Sequence, residues 1–187
     1  LWDRLLLQWL SWMRRNMPAV AVRAEVGSSA ELMLALINGL LDFAVIYSPQ
    51  QRGHIAVEPL LTEQLVLVES PGAAALENRG FIFVDWGPEF LSAYTQRFPD
   101  MPPPPITVGL GLLGLHYILE NGGSGYFPLR LVQPELAAGR LARAADAPVF
   151  TRPAYLAYPR GRDEPWFDNV LQGLRAVAGA TAGQDAG

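Results

Sequence analysis

The chain has 187 residues, 50% of them hydrophobic, a formal net charge of −4 and no cysteine. That is enough apolar material for one domain or two small lobes, and it excludes a disulfide scaffold, a cysteine-held metal and thiol catalysis. With 18 acidic against 14 basic side chains there is no broadly basic nucleic-acid face, and no run reaches the roughly 18 apolar residues of a membrane span. No basic-then-apolar secretion leader is visible, and the first residue, Leu1, is what a fragment or a trimmed chain would show.

The first predicted element is a helix over Leu1 to Asn16. Trp2, Leu5, Leu6, Trp9, Leu10, Trp12 and Met13 recur at helical spacing, and Asn16-Met17-Pro18 stops it. Arg14 and Arg15 fall in its last turn, where cations suit the negative end. Three tryptophans on so short a helix serve either core packing or a partner subunit. A strand over Val20–Val26 follows, then a glycine-serine corner at Gly27-Ser28-Ser29 and a helix with Leu32, Leu36 and Leu40 on one face. Ser28 or Ser29 is placed to cap its first turn. Asp42 leads into the buried strand Phe43–Ile46, completing a strand-helix-strand unit. The polar corner then faces the carboxyl edge of the sheet, where open α/β sheets hold ligands. A short edge strand over Ile55–Leu61, interrupted by Pro59, precedes a buried strand over Leu65–Glu69, and Ser70-Pro71-Gly72 marks the first crossing between lobes.

The second lobe is predicted to contain a strand at Phe81–Val84 with the exit turn Asp85-Trp86-Gly87-Pro88, and a helix over Glu89–Phe98. The proline-rich connector 99–105 leads to a strand at Ile106–Leu110 and a helix over Leu113–Glu120. A strand at Tyr126-Phe127, a helix over Leu129–Ala138 ending at Gly139, and a short strand at Leu141–Arg143 complete it. The chain then returns through a strand at Pro153–Tyr158 and a helix over Glu164–Ala178, and the tail 179–187 is expected to be disordered. The plan is one lobe from two chain segments with a second inserted, leaving a cleft at the hinge.

Signals for catalysis are thin. His54 and His116 are not arranged as metal ligands, since neither has a second histidine four residues on. Gly109-Leu110-Gly111-Leu112-Leu113-Gly114 matches the dinucleotide glycine spacing but lacks the acidic strand end about 20 residues later. No Gly-x-Ser-x-Gly elbow and no phosphate-loop lysine occur. Catalytic residues, metal ligands and cofactors are therefore assigned as none.

The order of motifs resembles the effector-binding domain of LysR-type transcriptional regulators. The residues that carry the likeness are Gly27-Ser28-Ser29, Glu31-Leu32, Gly39-Leu40-Leu41-Asp42, Phe43–Ile46, Pro59-Leu60-Leu61 and Leu65–Val68. Glu120–Pro128 with its glycines, Gly139-Arg140-Leu141 and Tyr155–Tyr158 extend it along the chain. The resemblance implies an α/β, two-lobed periplasmic-binding-protein-like (type 2) fold, each lobe an open mixed sheet flanked by helices, joined by two crossover strands. Lobe I would be 1–70 with 148–178, and lobe II 71–147. It implies an effector-sensing and oligomerisation part of a cytoplasmic bacterial regulator that is not an enzyme, with its winged helix-turn-helix and the first strand of lobe I upstream of these residues. A small organic acid or polar metabolite would bind in the cleft through Ser28, Ser29, Tyr47, Ser48, Val84, Asp85 and Trp86. A homodimer would form through the first and last helices, using Trp9, Trp12, Trp166 and Leu174, with dimer or tetramer left open for the full-length protein. DNA would be bound only through the upstream domain, and no membrane is involved. The rival reading is a type 2 periplasmic solute-binding protein for a small anionic metabolite, which shares the plan.

Overall fold

The computed structural model describes residues 5–72, 80–162 and 164–182. Trp2 and the tail beyond residue 182 lie outside them. The chain divides into two compact units, Leu1–Thr62 with Pro153–Gly187, and Glu63–Arg152.

The first unit holds α1 (Leu7–Asn16), α2 (Ser29–Ile37), β1 (Ala44–Ile46) and α6 (Pro165–Ala182), with the start of β2 (Ile55–Glu69) and most of β7 (Phe150–Pro159). β1 and β7 pair antiparallel, with Ala44 opposite Ala157 and Ile46 opposite Tyr155. Alternate residues of β7 feed different packing layers because a strand sends successive side chains to opposite faces. Leu156 packs with Leu5, Trp9 and Met13 before and along α1 and with Phe167, Leu171 and Leu174 of α6, whereas Ala157 packs with Met33 and Leu36 of α2. Each of the large side chains fully buried there contributes roughly 1.5–3 kcal/mol.

The second unit holds a sheet in the order β2-β5-β3-β4, built from β2, β5 (Ser124–Pro128), β3 (Phe81–Val84) and β4 (Ile106–Val108), with β6 (Ala142–Arg143) also paired to β2. β2 runs antiparallel to β5 and β6, while β3 runs parallel to β4 and β5, so the sheet is mixed. Helices α3 (Pro88–Arg97), α4 (Gly111–Asn121) and α5 (Leu129–Ala137) accompany it. Leu65 and Leu67 join an aromatic layer of Phe81, Phe83, Phe90, Tyr94 and Tyr126. Val66 and Val68 join Ile82, Val84, Leu115, Ile118 and Phe127 on the other face. Burial on both faces is why Leu65–Val68 reads as an unbroken apolar run instead of alternating.

Several expectations change. Residues 20–28 form no strand; Val22 and Val26 are exposed, and among the described residues no strand pairs with this segment. An extended segment becomes a strand only when its N–H and C=O groups enter a ladder. The two strands expected on either side of Thr62 are one, β2, and Pro59 sits in it exposed. The division between units falls at 62/63 and 152/153, not at 70/71 and 147/148, because Leu65–Val68, Ala147 and Phe150 pack into the core of the second unit. The last helix continues through residues 179–182, which were expected in the disordered tail.

Candidate functional site

In the first unit the glycine-serine corner begins α2, and its two serines do different work. Ser28 is the N-cap: its Oγ accepts from the Glu31 backbone N–H at 3.3 Å, and Glu31 Oε2 accepts from the Ser28 N–H at 2.8 Å. This reciprocal capping box satisfies two otherwise orphaned donors. Those bonds, the backbone one first, hold the Glu31 carboxyl below its ordinary range. Ser29 Oγ instead accepts from the backbone N–H groups of Tyr47 at 3.3 Å and Ser48 at 3.4 Å, just past the end of β1. A hydroxyl has two acceptor positions and one hydrogen. With both acceptor positions taken by N–H groups, Ser29 offers its O–H as a donor. The structure thus brings Ser29, Tyr47 and Ser48 together and assigns Ser28 to the helix cap.

In the second unit β3 ends at Val84, which is 1% exposed and packed in the core, so its side chain is not offered to a ligand. Asp85 donates its backbone N–H to Val108 O at 2.9 Å, and its carboxylate accepts from the Gly87 N–H at 2.9 Å. That carboxylate closes the turn into α3, where Gly87 has φ 108°, a conformation suited to glycine. Trp86 is held firmly: its indole N–H donates to Tyr126 O at 2.7 Å, and its ring lies against Gly111, where a Cβ would come within 2.2 Å. Gly114 similarly lets α4 approach Val84 and Val108. The glycine spacing at 109–114 therefore serves helix-to-sheet packing around Trp86.

Sequence reasoning missed the charged group beside Trp86. The Glu63 carboxylate is 2% exposed and pairs with Arg130, 6% exposed. Arg152 reaches Glu63 at 3.9 Å, and its guanidinium lies 5.4 Å from the centre of the Trp86 ring. Glu63 and Arg130 are 67 residues apart in sequence. The one local hint was an acid placed two residues before the apolar run Leu65–Val68.

The helix-pair residues also separate. Trp9 is 3% exposed and sends its indole N–H to Val170 O at 3.4 Å, while Leu174 is fully buried. Both belong to the unit's own core and have no surface to offer a second copy. Trp12 covers Gly173, where a Cβ would come within 2.3 Å of the ring, and Trp166 remains 37% exposed. Trp12 also lines a groove between α1 and α6 with Leu7, Ser11, Ala176 and Ala180. His54 lies in the first unit and His116 on the exposed side of α4 in the second. Among the described residues no helix is long and apolar enough to cross a membrane.

No curated protein matches the sequence. Solved structures do match the fold. The regulatory domain of HypT from Salmonella typhimurium, in its bromide-bound form, is 19% identical with a TM-score of 0.76, covering 93% of this chain and 90% of that one. The regulatory domain of MetR, a LysR family regulator from N. meningitidis, is 18% identical with a TM-score of 0.71, covering 96% and 89%. Full-length LysG from Corynebacterium glutamicum is 15% identical with a TM-score of 0.69; the match covers 95% of this chain and 63% of that one. The architecture is the two-lobed periplasmic-binding-protein-like (type 2) α/β fold of these regulatory domains, with β2 and β7 as the crossover strands. The LysR substrate binding domain family matches residues 1–179, which favours a regulator over a solute-binding protein: this chain belongs to the LysR substrate binding domain family.

Proposed function

We propose that the chain is the effector-sensing and oligomerisation part of a cytoplasmic LysR-type transcriptional regulator, without enzymatic activity. A small organic acid or other polar metabolite is recognised at a strand-exit corner, that of Ser29 in the first unit or that of Trp86 in the second. DNA is bound by a winged helix-turn-helix outside these residues. The observation that carries the effector reading is Ser29: its acceptor positions are filled by Tyr47 and Ser48 N–H groups, which leaves a fixed hydroxyl donor at a strand exit. Donors at the carboxyl ends of strands are where α/β sheets meet ligands. Structural neighbours carry small molecules: arginine in LysG, 2-PG in the regulatory domain of CcmR from Synechocystis. Val84 contributes backbone only, and Asp85 shapes the turn. Self-association uses the groove between α1 and α6 around Trp12, with Trp166 at the start of α6.

The test is a thermal-shift screen of metabolites on the parent chain, Ser29→Ala and Trp86→Ala. A ligand bound to the native state raises the midpoint by linkage. The expected result is a ligand whose shift shrinks in at least one of the variants. Equal shifts in all three proteins would move the effector elsewhere on the surface.

A further inference from the structure

A row of polar groups crosses the sheet of the second unit at the Phe81 end of β3, away from the Asp85-Trp86 turn. Leu65 and Leu67 of β2 and Tyr126 of β5 belong to the aromatic layer. Strand alternation puts Glu69 and Ser124, each two residues further along, on that same face. Glu69 stands directly opposite Ser124, and Ser124 is in register with Phe81. Directly opposed side chains on one face lie about 4.5–5.5 Å apart at Cβ. Ser124 Oγ, Tyr126 OH and one carboxylate oxygen of Glu69, Oε2, are sealed from solvent and have no hydrogen-bond partner among the described residues. Ser124 and Tyr126 are each 1% exposed. Burial above all pushes the Tyr126 phenol up, so it remains a neutral hydroxyl. The neighbours are aromatic: Phe81 stacks on Tyr94 at 5.8 Å, and Tyr126 meets Tyr94 at 6.2 Å and Phe150 at 5.0 Å. All 14 basic side chains of the chain are arginines, and among the described residues none pairs with Glu69. Arg97, whose charge reaches Tyr126, is exposed and lies 5.5 Å from the centre of the Phe98 ring. Buried polar atoms without partners are costly, and a charged one most of all.

We propose that Glu69, Ser124 and Tyr126 form a site for a monovalent cation: sodium, potassium or ammonium. The site lies within the second unit and stands independently of the effector reading. Its three buried groups are all oxygens, and a hydroxyl oxygen and a carboxylate oxygen each have lone pairs to turn toward a cation. One carboxylate balances one positive charge. A divalent ion of the calcium type takes six to eight oxygen ligands, several of them carboxylates, and no group of three acidic or histidine side chains is gathered among the described residues. The aromatic surroundings favour the same sign, because ring faces are negative. A water molecule would satisfy the two hydroxyls but leave the charge of the carboxylate uncompensated. A cation held between Glu69 and Ser124 ties β2 to β5 and makes the stability of this unit depend on the ion present.

The test titrates the full chain with sodium, potassium and ammonium chloride, with choline chloride making up a constant ionic strength, and reads the thermal midpoint. At least one small cation should raise the midpoint of the parent in a saturable way, as linkage to a single site requires. Choline, too bulky for the site, should not. Glu69→Gln should abolish the cation-specific shift. Ser124→Ala and Tyr126→Phe should each weaken apparent affinity by roughly ten-fold, the range for one oxygen contact to a charged group, and they carry the test if Glu69→Gln does not fold. Thallium(I), a potassium substitute seen directly by NMR, should give a bound resonance with the parent and none with Glu69→Gln. A parent with the same midpoint in all four salts overturns the proposal and leaves the row to internal water. Equal shifts in the parent and all three variants overturn it by placing the ion elsewhere. Arg79 lies outside the described residues; a cation effect that is absent from the parent and present in Arg79→Gln would give the balancing charge to that arginine and overturn the proposal as well.

Discussion

Gly111→Ala puts the packing around Trp86 to a quantitative test. In an exposed helix the change stabilises by roughly 1 kcal/mol, because alanine loses less backbone entropy than glycine. Here the new methyl would lie 2.2 Å from the Trp86 ring edge, with two further ring carbons at 3.0 and 3.1 Å. The indole would have to move. Overpacking of this kind costs about 1–3 kcal/mol, and moving the ring stretches the 2.7 Å bond to Tyr126 O, worth roughly 0.5–1.5 kcal/mol. The penalty exceeds the gain, so the net effect is a destabilisation of about 1–3 kcal/mol, or roughly 2–4 °C in midpoint per kcal/mol for a chain of this size. A double-mutant cycle isolates the cause. In a Trp86→Ala background the clash is gone, and Gly111→Ala should become neutral or stabilising. Urea denaturation of the four proteins measures the cycle. If Gly111→Ala is as stable as the parent, or equally destabilising in both backgrounds, the glycine is not there for the indole.

Other perturbations give equally direct outcomes. Ser28→Ala should cost about 1 kcal/mol as a lost helix cap, whereas Ser29→Ala should leave the α2 cap intact and act on Tyr47 and Ser48 instead. The Glu31 carboxyl titrates below its ordinary value in the folded chain, so its contribution is full above about pH 4.5, the unfolded value, and is lost as pH falls through the folded one. The stability gap between parent and Glu31→Gln, followed by urea denaturation from pH 7 to pH 3, should therefore close at the acid end; a gap that persists there would refute the capping assignment. For self-association, Ala180→Glu in the α1–α6 groove should shift sedimentation toward monomer, while Trp166→Ala should have a smaller effect; a parent that is monomeric at micromolar concentration would remove the groove as an interface.

Much of the element order was legible because it rests on local signals. Leu129–Ala137 begins after Pro128 and is followed by Gly139, and α4 ends at Gly122 with φ 77°, where the glycine run of 122–125 begins. The apolar run Leu65–Val68 declared a strand buried on both faces. What was not legible depended on partners distant in sequence. Val20–Val26 has β-branched residues in plenty, yet a strand is a property of a pair, and propensity names no partner. Trp9 and Trp12 look alike on a helical wheel, but one faces Phe43 at 5.4 Å and the other covers Gly173. Only the packing separates core from surface. Arg152 carries no local signal, and only the fold sets it against Trp86 and Glu63.

The two corners also show why a motif does not by itself identify the binding group. Read as a sequence, Gly27-Ser28-Ser29 followed by a helix suggests an anion held at the helix N-terminus. In the structure the Ser28 N–H is already occupied by the chain's own Glu31, so an effector carboxylate there would have to displace a short internal bond and meet a fixed negative charge. Ser29, one residue later, has turned toward Tyr47 and Ser48, whose backbone N–H groups its hydroxyl oxygen accepts. The same division holds at the other strand exit: Asp85 is consumed by its turn, while the next residue, Trp86, packs under the Arg152 guanidinium. In each corner one polar residue builds the turn and its neighbour is released from that duty.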